Sequence, residues 1–244
     1  MASAKEECIE MKRRFGEELS VLSKPEITQK LGKLETDRYA YGIFNPMNIT
    51  LNPLELCLGL ARVACETGRV RIHEHSSVVK MQRIDSNAVA CNSRWLVMTE
   101  TGSVRADEVV LATNGAPAHL STRLGVATTP ISTGMLLTEP LPKDLLDETL
   151  TTKCAIFDER FALAYFRRAP GNRILYGALA SGLPMKPATL ERKLVDDLTT
   201  TFPKLAPYID PCVSWQGMIE TRLPIFPVVG RDEFNHGLWY SLGF

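Results

Sequence analysis

Residues 108–117 read E-V-V-L-A-T-N-G-A-P. Val109, Val110, Leu111 and Ala112 are apolar without alternation, which predicts a strand over 108–113 covered on both faces. Asn114-Gly115 ends it, and Pro117 prevents further sheet pairing. Buried parallel strands deliver ligand-binding loops at their carboxyl ends, so the small polar residues after Leu111 are expected to face a ligand.

The flanking chain fits this strand into a mixed fold. Upstream, Asn52 is a good N-cap, Pro53 sits at the first helical position and Glu55 falls at N3, as in a capping box. The helix is expected to run through Leu56, Leu60, Ala61 and Ala64 to Gly68, a natural C′ residue. The alternation in R-V-R-I-H-E (69–74) predicts a short strand next. Strands over 78–84 and 95–99 follow, with a hairpin turn at Thr101-Gly102 into 103–106. Downstream, a helix-like stretch covers 116–124, and strands are expected at 131–138, 154–157, 163–168 and 173–177. The last two are joined by Pro170-Gly171-Asn172. Leu190, Leu194, Leu198 and Phe202 define one face of a helix over 189–202, and strand and loop follow from Tyr208. At the amino end, Cys8, Met11, Phe15, Leu19 and Leu22 give one helical face over 5–22. Pro25, after the capping Ser23, opens a shorter helix, and Tyr39, Tyr41 and Phe44 alternate.

With 244 residues, 45% of them hydrophobic, the chain can bury a sizeable core. Lys+Arg and Asp+Glu balance at 28 each, so there is no bulk pull toward nucleic acid or an anionic membrane. No uncharged apolar run approaches the roughly 18 residues of a membrane span. The charged start M-A-S-A-K-E-E-C lacks the apolar core of a signal peptide. Six scattered cysteines without a C-x-x-C read as reduced thiols, and a cytoplasmic location is expected.

Little in the residues points to self-contained chemistry. His73 and His75 would share a strand face, but they lack further ligands at metal spacing, so they read as ordinary histidines and no metal is expected. His119 and His236 are isolated. Ser121 and Ser181 lack the G-x-S-x-G setting of a hydrolase nucleophile. No G-x-G-x-x-G or G-x-x-x-x-G-K-[ST] occurs, and no two glycines stand two residues apart. Tyr165 and Arg167 share a strand face, a cation beside a phenol that could orient a substrate or simply line an exposed sheet.

The collinear segments T-L-N-P-L-E-L-C-L-G-L-A-R-V-A (50–64), G-R-V-R-I-H-E-H-S-S-V-V (68–79), T-G-S-V-R-A-D-E-V-V-L-A-T-N-G (101–115), T-E-P-L (138–141), Y-F-R-R (165–168), I-L-Y-G (174–177) and W-Q-G-M-I-E-T-R-L-P (215–224) carry a resemblance. They resemble the FAD-dependent amino acid oxidase (DAO) family, closest in flavour to gamma-glutamylputrescine oxidoreductases. The resemblance implies an α/β (mixed α+β) chain: an incomplete three-layer FAD/NAD(P)-binding fold with an antiparallel-sheet substrate domain. The partial FAD domain is expected over 1–130, the substrate domain over 131–212 and a return to the FAD domain over 213–244. By resemblance, Ser77, Val78 and Val79 contact the adenine end of FAD, and Ala112, Thr113, Asn114 and Gly115 form a second loop toward its ADP portion. Tyr165, Arg167 and Trp215 are the substrate-side candidates; no catalytic residue is assigned.

The implied reaction oxidises the C–N bond of a small-molecule amine or amino acid, with hydride passing to FAD, imine hydrolysis and peroxide release. Ile219 stands where amino-acid-oxidising members place a carboxylate-binding arginine, which favours an amine. The family's opening G-x-G-x-x-G unit is absent, and L-W-Y-S-L-G-F (238–244) resembles the strand before its glycine-rich turn. A truncated sequence is therefore expected, with a missing N-terminal segment or a partner chain to complete it and weak FAD binding by the chain alone. The competing expectation is a non-catalytic remnant or interaction subunit that does not hold FAD.

Overall fold

The computed structural model describes residues 2–84, 94–114, 119–160, 162–221 and 226–243. Its contacts divide the chain into two compact units, Met1–Leu51 with Thr133–Gly217 and Asn52–Ser132 with Met218–Phe244. Residues before Leu51 are thus grouped with the larger sheet, and the chain changes unit after Leu51, Ser132 and Gly217.

The first unit begins with α1 (Ala2–Phe15), β1 (Ser20–Ser23), α2 (Lys24–Leu31) and β2 (Tyr41–Phe44). The single helix expected over 5–22 is not formed. Gly16 turns the chain with φ +72°, and Ser20–Ser23 pair antiparallel with Tyr41–Phe44 instead. Glycine ends a helix at such a position because it has no Cβ to clash in the left-handed region. The helix expected from Pro25 is present: the Glu26 carboxylate accepts from both the backbone N–H and the hydroxyl of Ser23.

The second unit opens with α3 (Pro53–Glu66), whose Asn52 cap accepts from Leu54 N at 3.1 Å and Glu55 N at 3.4 Å. Gly68, at φ +70°, follows its end. Residues 69–73 form no strand, which corrects the alternation-based expectation. Alternating side chains cannot supply the backbone partner a strand needs, and Val70 and Ile72 are exposed. His73 and His75 therefore share no strand face; His75 instead adopts φ +52°. No metal-binding group of His, Cys, Asp or Glu occurs among the described residues.

The expected hairpin is formed: β3 (Val78–Arg83), β4 (Trp95–Thr99) and β5 (Ser103–Ala106) make an antiparallel sheet, closed at Thr99–Gly102. Then come β6 (Val109–Leu111), α4 (Thr122–Val126) and β7 (Thr129–Thr138), followed by α5 (Lys143–Thr149), β8 (Ile156–Phe157), β9 (Tyr165–Ala169) and β10 (Arg173–Ser181). The last elements are α6 (Pro187–Thr201), β11 (Pro211–Thr221), β12 (Val228–Arg231) and β13 (Leu238–Leu242).

In the first unit the strand order is β11-β7-β10-β9-β8. Gly171 and Asn172 both have positive φ, as the tight β9–β10 turn requires. The predicted face of α6 is the buried one: Leu194, Leu198 and Phe202 are fully enclosed and Leu190 nearly so. Gly134 on β7 makes room for it, since a Cβ there would stand 2.6 Å from a Leu190 methyl. Phe166 stacks on Tyr176 and meets Phe202 edge-on, with ring centroids 5.8 and 5.1 Å apart.

In the second unit β13 lies between β12, antiparallel, and β6, parallel. Trp95, Leu111, Leu124, Leu238 and Leu242 form its core. The expectation that both faces of 108–113 are covered is not met, because Val110 is 64% exposed while Leu111 is 2% exposed. The strand is at the sheet's edge, and among the described residues its core packs on one face only.

An ion cluster links four segments of the first unit. Asp197 on α6 accepts from Arg160 through both oxygens (2.8 and 3.0 Å), from Arg38 (2.8 Å) and from the Tyr176 hydroxyl (2.7 Å). Arg160 also donates to Asp158 at 2.7 Å, and that carboxylate accepts from Tyr39 at 3.3 Å. Burial and the nearby Asp158 charge push the Tyr39 phenol up to about 12. Burial works against the Asp197 carboxylate, but the hydrogen bonds from Arg160, Tyr176 and Arg38 bring it from 3.8 down to about 2. A depressed folded-state value contributes stability that is complete above the unfolded value and lost as pH falls through the folded one. The fall from 3.8 to about 2 corresponds to about 2.4 kcal/mol, which solvent screening of the partly exposed cluster reduces to about 2 kcal/mol. Urea titrations of Asp197→Asn should therefore show a loss of about 2 kcal/mol at neutral pH. The gap to wild type should shrink as the pH is lowered toward about 2.

Candidate functional site

Two groups of side chains carry the expected chemistry, one in each unit. In the second unit, the parallel pairing of Leu238, Trp239 and Tyr240 with Val109, Val110 and Leu111 puts the carboxyl ends of β6 and β13 on one side. Exposed Ala112 and Thr113 leave the end of β6, and Asn114 adopts the left-handed φ of +48°. Asparagine tolerates that region better than most residues, because its short amide can bond locally. Asn114 Oδ1 accepts from the backbone N–H of Glu220 at 3.2 Å. The Glu220 carboxylate in turn accepts from Gly243 N at 3.0 Å through Oε1. Gly243 also has positive φ, +80°. Glu220 is 2% exposed, and its Oε2 has no hydrogen-bond partner among the described residues.

Val78 lies at the start of β3, with Ser77 just before it. The β3–β4 register shifts between Val78 and Lys80, so Val79 is an extra, half-exposed residue. The Val78 carbonyl accepts from His119 Nε2 at 3.3 Å. His119, isolated in the sequence, thus ties the chain beyond the Asn114 loop to the start of β3. Gly115 lies outside the described residues.

In the first unit, Tyr165 and Arg167 share the β9 face opposite buried Phe166, as their spacing predicts. The Tyr165 ring crosses Gly177 on β10, so that its hydroxyl reaches Thr133 Oγ1 at 3.1 Å. A Cβ on Gly177 would stand 2.0 Å from that ring and 2.5 Å from Met135 Sδ. Gly177 is required here for space, not for its dihedral freedom. Arg167 Nη1 donates to the Leu51 carbonyl at 3.1 Å, so one of its donors is already used. Trp215, 43% exposed, is on β11, three strand spacings or roughly 14 Å from β9. The structure therefore brings Tyr165 and Arg167 together but not Trp215 with them.

Thr133, Gly177, His119 and Glu220 are the residues that sequence reasoning left out. Gly177 and Glu220 lie within quoted segments, but a ring crossing a glycine and an acid buried at strand ends depend on cross-strand register, which one sequence does not encode visibly.

The carboxyl end of a parallel strand pair is where open α/β sheets place their ligands, and a separate antiparallel sheet makes up the other unit. A family model described as FAD dependent oxidoreductase (DAO) matches residues 1–244, and the chain belongs to that family. It is 29% identical over 237 residues to the "Probable oxidoreductase OrdL" of Haemophilus influenzae, covering 93% of this chain and 51% of that protein. It is 28% identical over 217 residues to the gamma-glutamylputrescine oxidoreductase of Escherichia coli, covering 87% and 47%. The chain spans about half the length of these curated relatives. Glycine oxidase from Geobacillus kaustophilus superposes with a TM-score of 0.77 at 20% identity, over 99% of this chain and 62% of that one. L-proline dehydrogenase from P. horikoshii gives 0.79 at 18% identity, over 100% and 63%. These likenesses establish a mixed α/β fold with antiparallel sheets of the FAD-dependent amino acid oxidase type.

The residues present fit part of FAD. Small, exposed Ala112 and Thr113 allow close backbone approach, and the Glu220 oxygen that has no partner among the described residues suits a hydroxyl or N–H donor. The sequence contains no glycine-rich pyrophosphate turn.

The crossing of Tyr165 over Gly177 can be tested by a double-mutant cycle. Gly177→Ala should cost about 1–3 kcal/mol by overpacking in urea melts. Most of that cost should vanish in a Tyr165→Ala background. Equal costs in both backgrounds would mean that the ring lies elsewhere in solution.

Proposed function

We propose that this chain is the working part of a FAD-dependent oxidoreductase that oxidises the C–N bond of a small amine. The observation that carries the reading is the Asn114 loop at the carboxyl end of the β6–β13 parallel pair, in a chain of the DAO family. FAD, when bound, supplies a two-electron acceptor for the hydride of the amine's α-carbon. Water then hydrolyses the resulting imine to a carbonyl compound with release of ammonia or an amine, and dioxygen would take up the two electrons as peroxide.

In this reading Ser77, Val78 and Val79 lie along the adenine end of the cofactor. Ala112, Thr113, Asn114 and Gly115 lie along its ADP portion. Asn114 keeps its loop in place through the Glu220 N–H. Tyr165, fixed by Thr133 and by the space over Gly177, presents a phenol that can accept from or donate to a substrate amine. Arg167 adds a cation whose position is set by the Leu51 carbonyl. Trp215, remote from this pair on the same sheet, would support the pocket rather than touch the reacting nitrogen.

Amine rather than amino acid is favoured by Ile219, which offers no charge at the position where the family resemblance places a carboxylate clamp. The relative named gamma-glutamylputrescine oxidoreductase supports the same substrate class.

A second reading, a chain that keeps the fold without holding FAD, is favoured by one observation: α3 has no buried residue and exposes Leu54, Leu56, Leu58, Leu60 and Val63. Absorption spectroscopy separates the two readings. Titrated with FAD, the chain should show weak but saturable binding as a shift of the flavin band, and the bound flavin should bleach anaerobically with a primary amine, and more slowly with the matching amino acid. No saturable change of the flavin band at any FAD concentration would overturn the oxidase reading for this chain and uphold the second.

A further inference from the structure

Among the described residues, Glu220 is the one buried carboxylate with an oxygen that has no hydrogen-bond partner. Its backbone N–H holds Asn114, and Oε1 holds Gly243, so it joins the loops that leave both parallel strands. Each of those loops has a residue with positive φ, at Asn114 and Gly243. That clamp needs only one acceptor oxygen. A glutamine would serve it equally well, with an NH2 group in place of the second oxygen. The glutamate instead leaves Oε2 buried and unpartnered among the described residues. Such an orphaned acceptor costs stability, and buried polar atoms without partners call for a specific explanation.

We propose that Glu220 is a ligand-contacting residue of the cofactor site, with Oε2 kept for a hydroxyl or N–H donor of FAD while Oε1 fixes the Gly243 end. The inference rests on the reading that unit Asn52–Ser132 with Met218–Phe244 holds FAD. A carboxylate repels phosphate oxygens, so the group it meets belongs to the sugar-alcohol or ring portion of the dinucleotide and not to its pyrophosphate. Stability given up in the free protein to keep a binding group ready is a recurrent property of functional sites.

The test uses the full chain and two substitutions. In Glu220→Gln the amide oxygen can still accept from Gly243, but an NH2 group replaces the free acceptor. Glu220→Ala removes both. FAD affinity is measured by quenching of flavin fluorescence, and thermal melts are recorded without FAD. Glu220→Gln should melt at or above the wild-type temperature yet bind FAD about tenfold or more weakly, the loss expected for a hydrogen bond to a charged group. Glu220→Ala should lose both affinity and melting temperature. A Glu220→Gln protein that binds FAD as tightly as wild type would overturn the proposal while leaving the FAD reading intact. Wild-type protein that binds no FAD would overturn the FAD reading. The assignment of Oε2 to FAD falls with it. A lower melting temperature for Glu220→Gln than for wild type, measured without FAD, makes the carboxylate a structural group and also overturns the proposal.

Discussion

The arrangement of the larger unit depends on the carboxylate of Asp197. It receives a two-point contact from Arg160 and single bonds from Arg38 and Tyr176, which brings the segment before β2, the β8–β9 connection, β10 and α6 to one place. A bidentate guanidinium–carboxylate pair is directional as well as strong. Desolvation of the three charges offsets much of their attraction, so the cluster's larger effect is on position. With Asp197 fixed beneath Tyr176, α6 has one register on the sheet, and Leu190 and Leu194 then fall over Gly134. The aromatic contacts of Phe166 with Tyr176 and Phe202 follow from the same register.

The two units differ in how completely they enclose their apolar surface. The larger buries a continuous cluster from Ile27 to Leu205, whereas the smaller buries five residues around Trp95 and Leu111. Val110 and the leucines of α3 are exposed in it. The smaller core of this unit leaves more of its apolar side chains outside the buried cluster. No helix among the described residues is long and apolar enough to cross a membrane.

Local signals were legible wherever a residue acts on its own neighbours. The Asn52 cap with Pro53, the Ser23–Glu26 pair, the Thr99–Gly102 turn and the leucine face of α6 are all decided within a few residues, and all are present. Expectations failed where a distant partner decides. The alternation of 69–74 met no strand to pair with, and the helical spacing of 5–22 yielded at Gly16 because Ser20–Ser23 pair with β2. The run Val109–Leu111 reads as central, but its edge position leaves Val110 in solvent. At the site, the shared face of Tyr165 and Arg167 follows from strand periodicity. Its contacts with Thr133 and Leu51 depend on residues more than thirty positions away.

The same distinction separates the two halves of the proposed chemistry. Tyr165 is over-determined: a neighbouring glycine gives it space, a threonine holds its hydroxyl, and buried Phe166 fixes the opposite face of its strand. That is the preorganisation a substrate-orienting group requires, since its geometry must exist before the substrate arrives. Glu220 is under-determined, with one oxygen committed and one not. A donor that met the second oxygen would complete the hydrogen bonding of a carboxylate whose other contacts already join Asn114 and Gly243.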